Sequence, residues 1–375
     1  NSGSVRVNVA PDKAKVLVID GEARWEFHYL TTALVRDPTM DVQSIVFRQP
    51  RLNKANDANS KKLLLPDLKL PTDPDAFLNY DCIILGDVSP EDLPKPERER
   101  LEKYVSERGG TLVMVAGKRW MPWNFLKTTD GELDPLLRLL PIQNPKVMTP
   151  ELGFPMTLTG EGRMVPFLRM ESTADLSLER WTKLPDHFWG VVGKAKEGAV
   201  PLAFYRANGA DIPKSPDALR NEERDNALMV RQNYGFGRVL FVGLESTWRW
   251  RFKTGDQYHH RFWGQVIRWA ATDKPLITGD ENIRFGTREP VYRQDQEVEF
   301  VARLGEKMKK PTSESLMGAR AIRLPTKDGE KEQVIGLIPL RPNEFRPREL
   351  SGSARDLPPG EYVICLLYTS DAADE

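Results

Sequence analysis

Up to about residue 272, short unbroken apolar runs alternate with stretches in which apolar residues recur every third or fourth position. Lys15–Ile19, Val42–Phe47, Tyr80–Leu85, Thr111–Val115 and Arg238–Leu244 are the short runs, and each predicts a strand buried on both faces. Phe27, Leu30, Thr31 and Leu34 predict one face of a helix that closes near Asp37-Pro38. Leu101, Tyr104 and Val105 predict a second within Pro96–Arg108, stopped by Gly109-Gly110. From Tyr258 onward Phe262, Val266, Trp269 and Ala270, widened by Trp263 and Ile267, predict a third. Strands alternating with helices predict an α/β domain with a doubly wound parallel sheet. Right-handed crossovers then bring the loops after each strand to one edge.

Between Pro141 and Asn226 short apolar pieces such as Phe154–Leu158 and Ala199–Tyr205 alternate with turns. No long stretch keeps helical spacing, so an insertion of hairpins over about 145–226 is expected, rejoining the sheet at Ala227–Arg231. Gly235-Phe236-Gly237 precedes a strand rather than a helix, which predicts a hairpin turn and not a phosphate cradle. Beyond Pro275 the pattern is β only: Glu297–Ala302, Ala319–Leu324, Gln333–Leu340 and Gly360–Ile364. Gly, Pro and Asp turns between these runs predict a truncated immunoglobulin-like sandwich over 285–364. Ser4–Val9 alternates as the last strand of a preceding β-domain would, placing 1–12 outside the α/β domain of 13–278. Lys54–Pro74, polar and proline-bounded, predicts a mobile excursion.

Charge and cysteine content narrow the function. In 375 residues, 54 basic and 54 acidic side chains cancel, so no global field recruits nucleic acid. No apolar run approaches the roughly 20 residues that span a bilayer. The chain begins mid-pattern and reads as a fragment, with any membrane anchoring left to segments outside it. Cys365–Glu375 resembles a translated sequencing adapter, which leaves Cys82, inside an apolar run, as the single native cysteine. No zinc spacing or disulfide framework is present.

The segments KVLVIDGEARWEFHYLTTAL, YDCIILGDV, ERLEKYVSERGGTLVMVAG and GRVLFVGLESTWRWRFKTGDQYHHRFWGQVIRWA resemble a class I glutamine-amidotransferase-like domain. The version resembled occurs in large membrane-anchored, planctomycete-type bacterial envelope proteins. The resemblance implies a flavodoxin-like sheet, a cell-envelope location and no established reaction. Active amidotransferases carry a cysteine on a strand-to-helix elbow, with a histidine base and a glutamate on a later loop. The matching elbow here is Val115-Ala116-Gly117-Lys118, and no Ser, Thr or Cys stands between Thr111 and Thr128. The later loop reads Leu244-Glu245-Ser246-Thr247-Trp248, so Glu245 survives without its histidine. Glutaminase chemistry is not expected, and the domain reads as a pseudoenzyme.

The predicted edge gathers Glu22, Arg24, Trp25 and Glu26 from the first loop, and Lys118, Arg119, Trp120 and Trp123 from the fourth. The last adds Glu245, Trp248, Arg249, Trp250 and Arg251. Aromatic faces flanked by Arg and carboxylates suit a sugar ring, a peptide segment or an anionic group. The same residues could instead cement the edge to the insertion. Three functions follow: a non-catalytic module binding a protein partner or a glycan or peptide ligand; a sugar hydrolase using Glu22, Glu26 or Glu245; or a rigid spacer. No cofactor is implied. His259-His260 beside Asp256 invites a metal, but adjacent helical residues point about 100° apart. Asp256 reads better as a helix N-cap, and His28 as a surface histidine.

Overall fold

A computed structural model describes residues 13–48 and 70–368, apart from positions 72, 74, 127–132, 214, 273–275, 280–281, 288–290, 295, 306–307, 309–316, 326–332 and 344–347. The strand expected at Ser4–Val9 and most of Lys54–Pro74 lie outside the described residues. The first strands are β1 (Ala14–Glu22), β2 (Met40–Arg48), β3 (Cys82–Leu85) and β4 (Thr111–Val115). Next come β5 (Ile142–Met148), β6 (Thr157–Leu158), β7 (Gly190–Ala195), β8 (Ala199–Phe204), β9 (Ala227–Tyr234) and β10 (Gly237–Val242). They form one ten-stranded sheet in which β2-β1-β3-β4-β10 run parallel. Beyond β10 the sheet turns antiparallel through β9, β7 and β5, with β8 also on β9. The β9–β10 connection is the expected tight turn. Gly235 there has φ 58°, and a Cβ would sit 2.2 Å from the Ser106 carbonyl oxygen.

Strand residues alternate between two cores, as the pleat requires. Val16, Val18, Val113 and Leu240 face the helices Trp25–Val35 and Gln257–Thr272, meeting Phe27, Leu30, Phe262 and Val266. Leu17, Ile19, Leu112 and Phe241 face the other way, against Leu101, Tyr104 and Val105 of the Lys95–Ser106 helix. Cys82 is fully buried in the first core, where desolvation pushes its thiol well above the usual range.

The insertion departs from expectation. It contributes strands to the same sheet and contains two ten-residue helices, Ala174–Lys183 and Pro216–Asp225. Both start at conventional caps: the Thr173 and Ser215 hydroxyls accept from the Leu176 and Ala218 amides. Apolar spacing misses them for a physical reason. Pro216–Asp225 buries no side chain, and Ala174–Lys183 buries only Ser177 and Trp181.

A separate antiparallel sheet follows, from β11 (Leu276–Gly279), β12 (Ile283–Thr287), β13 (Val298–Leu304), β14 (Met317–Arg323), β15 (Gln333–Pro342), β16 (Glu349–Ala354) and β17 (Tyr362–Tyr368). Its order is β11-β12-β13-β16-β15-β14-β17, around a small core of Phe285, Phe300, Leu304, Leu340 and Leu350. β11, β12 and β16 are additional to the strands read from the pattern. β17 pairs with β14 through Cys365 to Tyr368, so the apolar Cys365-Leu366-Leu367 extends the strand past Ile364.

Candidate functional site

Crossover geometry brings the ends of β1, β3, β4 and β10 to one edge, and the predicted charges there meet as ion pairs of one another. Arg24, immediately ahead of its helix, donates from Nε to both carboxylate oxygens of Asp20, at 2.9 and 3.2 Å. Its terminal nitrogen reaches the Ala116 carbonyl at 3.2 Å and Glu245 Oε2 at 3.5 Å. Glu245 Oε1 takes Lys118 Nζ at 2.5 Å, and Arg119 pairs with Glu22. Burial raises the Asp20 carboxyl above its ordinary range, with Arg24 pulling the other way.

Asp87, at the end of β3, anchors the loop after β4. Its buried carboxylate accepts the backbone N–H of Arg119 at 2.9 Å and those of Trp120 and Met121 at 2.8 Å. The loop reaches that carboxylate only because residue 117 is glycine: a Cβ there would lie 2.0 Å from Asp87 Cγ. The loop after β4 is thus closed around a carboxylate.

Glu26 is a correction to the sequence reading. It lies in the core, 2% exposed, where its carboxylate accepts the Thr247 hydroxyl and, at 3.4 Å, the Trp248 amide. Thr247 in turn accepts Trp263 Nε1 at 3.0 Å. Burial is the main cause that lifts the Glu26 pKa from 4.5 to about 7. The cavity lined by Asp20, Arg24, Glu26 and Phe27 measures about 10 Å³, room for a single water.

Trp250 is likewise a core residue, 1% exposed, edge-on to Trp181 and Phe262. Tryptophan recurring in a loop reads as surface chemistry in sequence; here the Thr247–Arg251 turn buries Thr247 and Trp250 and leaves Trp248 half-buried. Trp250 Nε1 donates to His187 Nε2 at 3.0 Å, while His187 Nδ1 lies 2.8 Å from Ser246 Oγ. An Nε2 that accepts leaves the proton on Nδ1, so the imidazole donates to Ser246 and cannot take its proton. Desolvation, then Arg249, drops the His187 pKa to about 3. The pair buttresses the insertion against the rim, as does Arg249 Nε donating to the Asp186 carbonyl at 3.0 Å. Lys118 lies over the Trp189 ring at 5.5 Å in the same contact.

Outside this closed edge lies an aromatic surface. Trp25 is 63% exposed, and its ring centroid is 5.7 Å from Tyr29 and 6.1 Å from Trp248, with Tyr29 and Trp248 also 6.1 Å apart. Arg251 lies 3.9 Å over Tyr29 and is held by Asp256 at 2.5 Å. Arg249 lies between Phe188 at 4.9 Å and Trp248 at 5.8 Å. Trp120 is flanked by Arg48 at 4.5 Å and Arg119 at 5.7 Å. Trp123 is half-buried against the opposite core and does not join the others. Tyr29, Phe188, Asp87 and His187 were not singled out from sequence. Tyr29 had a signal, since it stands four residues after Trp25 on one helix face.

Asp256 stands immediately ahead of its helix, but its carboxylate is taken by Arg251 and Arg36. His260 lies 3.8 Å from Asp256, and His259 is fully buried. Among the described residues no three His, Cys, Asp or Glu side chains are placed to share a metal ion. His28 is exposed, its ring edge-on to Tyr29. No helix among the described residues is long and apolar enough to cross a membrane.

No protein-family model matches the chain, and no curated protein does. Among solved structures, a catalytic mutant of Gan42B, a GH42 β-galactosidase from G. stearothermophilus, aligns at 13% identity and TM-score 0.35. That alignment covers 91% of this chain and 40% of the other. Exo-β-1,4-mannosidase Op5Man5 from Opitutaceae bacterium strain TAV5 aligns at 14% identity and TM-score 0.34, covering 71% of this chain and 37% of that one. Likeness at this level carries no argument about function.

Proposed function

We propose that the chain is a non-catalytic binding or assembly module on an amidotransferase-like scaffold, working in the bacterial cell envelope. The observation that carries this reading is the Trp25–Tyr29–Trp248 cluster, with Trp25 63% exposed, beside a strand-end edge filled by its own side chains. The parallel order β2-β1-β3-β4-β10 is that of a flavodoxin-like sheet and supports the scaffold. The antiparallel sheet after it is read as the immunoglobulin-like partner module. The elbow offers Gly117 and Lys118 where a nucleophile would stand, and Ser246 meets a histidine protonated on the wrong nitrogen.

The hydrolase alternative asks for two carboxylates facing an open cleft. Glu26 faces Thr247 and the Trp248 amide, Glu245 is taken by Arg24 and Lys118, and Glu22 by Arg119. The spacer alternative shares the filled crevice but gives no reason for an exposed Trp25 backed by two further rings.

The test is a screen of the full chain against glycans, peptides and small anions, read by tryptophan fluorescence, with an ammonia-release assay on glutamine alongside. The expected result is a saturable change lost in both Trp25→Ala and Trp248→Ala, without ammonia release. Glutamine turnover, or ligand binding indifferent to both substitutions, would reject the proposal.

A further inference from the structure

The three rings have a geometry that narrows the ligand. Their planes lie within 37° of one another, and the three centroid separations are 5.7, 6.1 and 6.1 Å. Near-equal sides exclude a column, in which the outer rings would stand twice as far apart as neighbours. At these separations near-parallel rings lie slipped over one another in a triangular cluster, and Trp25, 63% exposed, is the member open to solvent. Arg251, fixed by Asp256, covers one face of Tyr29, and the high exposure of Trp25 leaves that end of the cluster open.

Charge adds the second constraint. Most cations on this edge are already paired: Arg24 and Lys118 with Glu245, Arg119 with Glu22, Arg251 and Arg36 with Asp256. Arg249 and Lys253 differ. No carboxylate among the described residues lies within ion-pair distance of either, and Arg249 adjoins Trp248 while Lys253 lies over Phe252. Arg249 spends Nε on the Asp186 carbonyl and is held between Phe188 and Trp248, leaving its two terminal nitrogens as a pre-oriented fork.

We infer that this surface takes an acidic glycan, a pyranose ring lying on Trp25 with its carboxylate on the Arg249 fork. The inference rests on the binding reading above. A flat C–H face suits the exposed indole of Trp25, and a ring carboxylate supplies the anion at a fixed distance from it. An extended peptide would call for a free backbone edge. The surface is built instead from a helix start and a 3₁₀ turn, with no strand edge in it. A single-stranded nucleic acid would need a track of unpaired cations, where this edge leaves two beside Glu22, Glu245 and Asp256.

The experiment titrates the full chain with a galacturonic-acid hexamer, a neutral galactose hexamer and hexaglutamate, by calorimetry and tryptophan fluorescence. The uronate hexamer is expected to bind at least about tenfold more tightly than either comparator, and less tightly as salt rises. Trp25→Ala and Arg249→Gln are each expected to weaken it about tenfold. Arg249→Gln should also erase the preference over the neutral hexamer. Hexaglutamate binding as tightly, with the same sensitivity to Trp25→Ala, overturns the glycan inference and leaves the binding surface standing. Uronate binding untouched by either substitution overturns the site. No response to any probe, from a protein whose circular dichroism is native, overturns this inference, and an empty wider screen would then remove the binding reading as well.

Discussion

Glu26→Gln tests whether a carboxyl sealed under the rim holds its proton near neutrality. In the folded protein burial lifts the Glu26 pKa from 4.5 to about 7, against the opposing pull of the Thr247 hydrogen bond and Arg24. The folded state therefore binds this proton more tightly than the unfolded state does. Its contribution is complete below about pH 4.5 and is lost as pH rises through 7. A displacement of that size is worth about 3 kcal/mol once the group is ionised in both states. Glutamine keeps the shape and an oxygen for the Thr247 hydroxyl, but stays neutral at every pH. The stability of Glu26→Gln relative to the parent is expected to rise by about 2 kcal/mol or more between pH 5 and pH 8. Urea unfolding followed by tryptophan fluorescence measures it. All nine tryptophans precede residue 272, so the signal reports the α/β sheet and not the β-sheet after it. Parallel pH dependence in the two proteins would refute the reasoning, because it would mean that Glu26 titrates alike folded and unfolded.

The remaining predictions separate core from surface. Asp87→Ala strands three backbone N–H groups of the loop after β4 and should cost about 3 kcal/mol or more in a urea titration, with Asp87→Asn intermediate. Trp250→Ala should cost about 3–5 kcal/mol, while Trp25→Ala should stay within about 0.5 kcal/mol of the parent. Equal costs for the two tryptophans would reverse the assignment of inward and outward faces. A colorimetric thiol reagent should modify one cysteine in the native protein, the half-buried Cys365, and both in denaturant, since Cys82 is sealed in the core.

Where a segment buries apolar residues periodically, its element was legible in the sequence. Thr111–Val115 is buried at every position and coincides with β4, and the Phe27, Leu30, Leu34 face is the face that packs. Two of the misses share one cause. The Pro216–Asp225 helix buries nothing, so its only signal was the Ser215-Pro216 start. β16 carries Ser351, Gly352 and Ser353 through its centre and offers no apolar alternation to find.

The site divides along a different line, between charge and direction. Opposite charges read to the same edge do find each other, because strand-end loops converge and an unpaired buried guanidinium such as Arg24 would be costly. Which aromatic points outward depends on phase within a turn. Glu26 stands four residues before Leu30 and seven before Ala33, so helical phase alone places it on the buried face despite its charge. Its carboxylate is tolerated there because Thr247 and the Trp248 amide arrive from a loop more than two hundred residues later. No local window contains that compensation. The same contact binds the first loop to the last and lays Trp248 beside Trp25, so the buried carboxyl and the exposed indole are two sides of one junction.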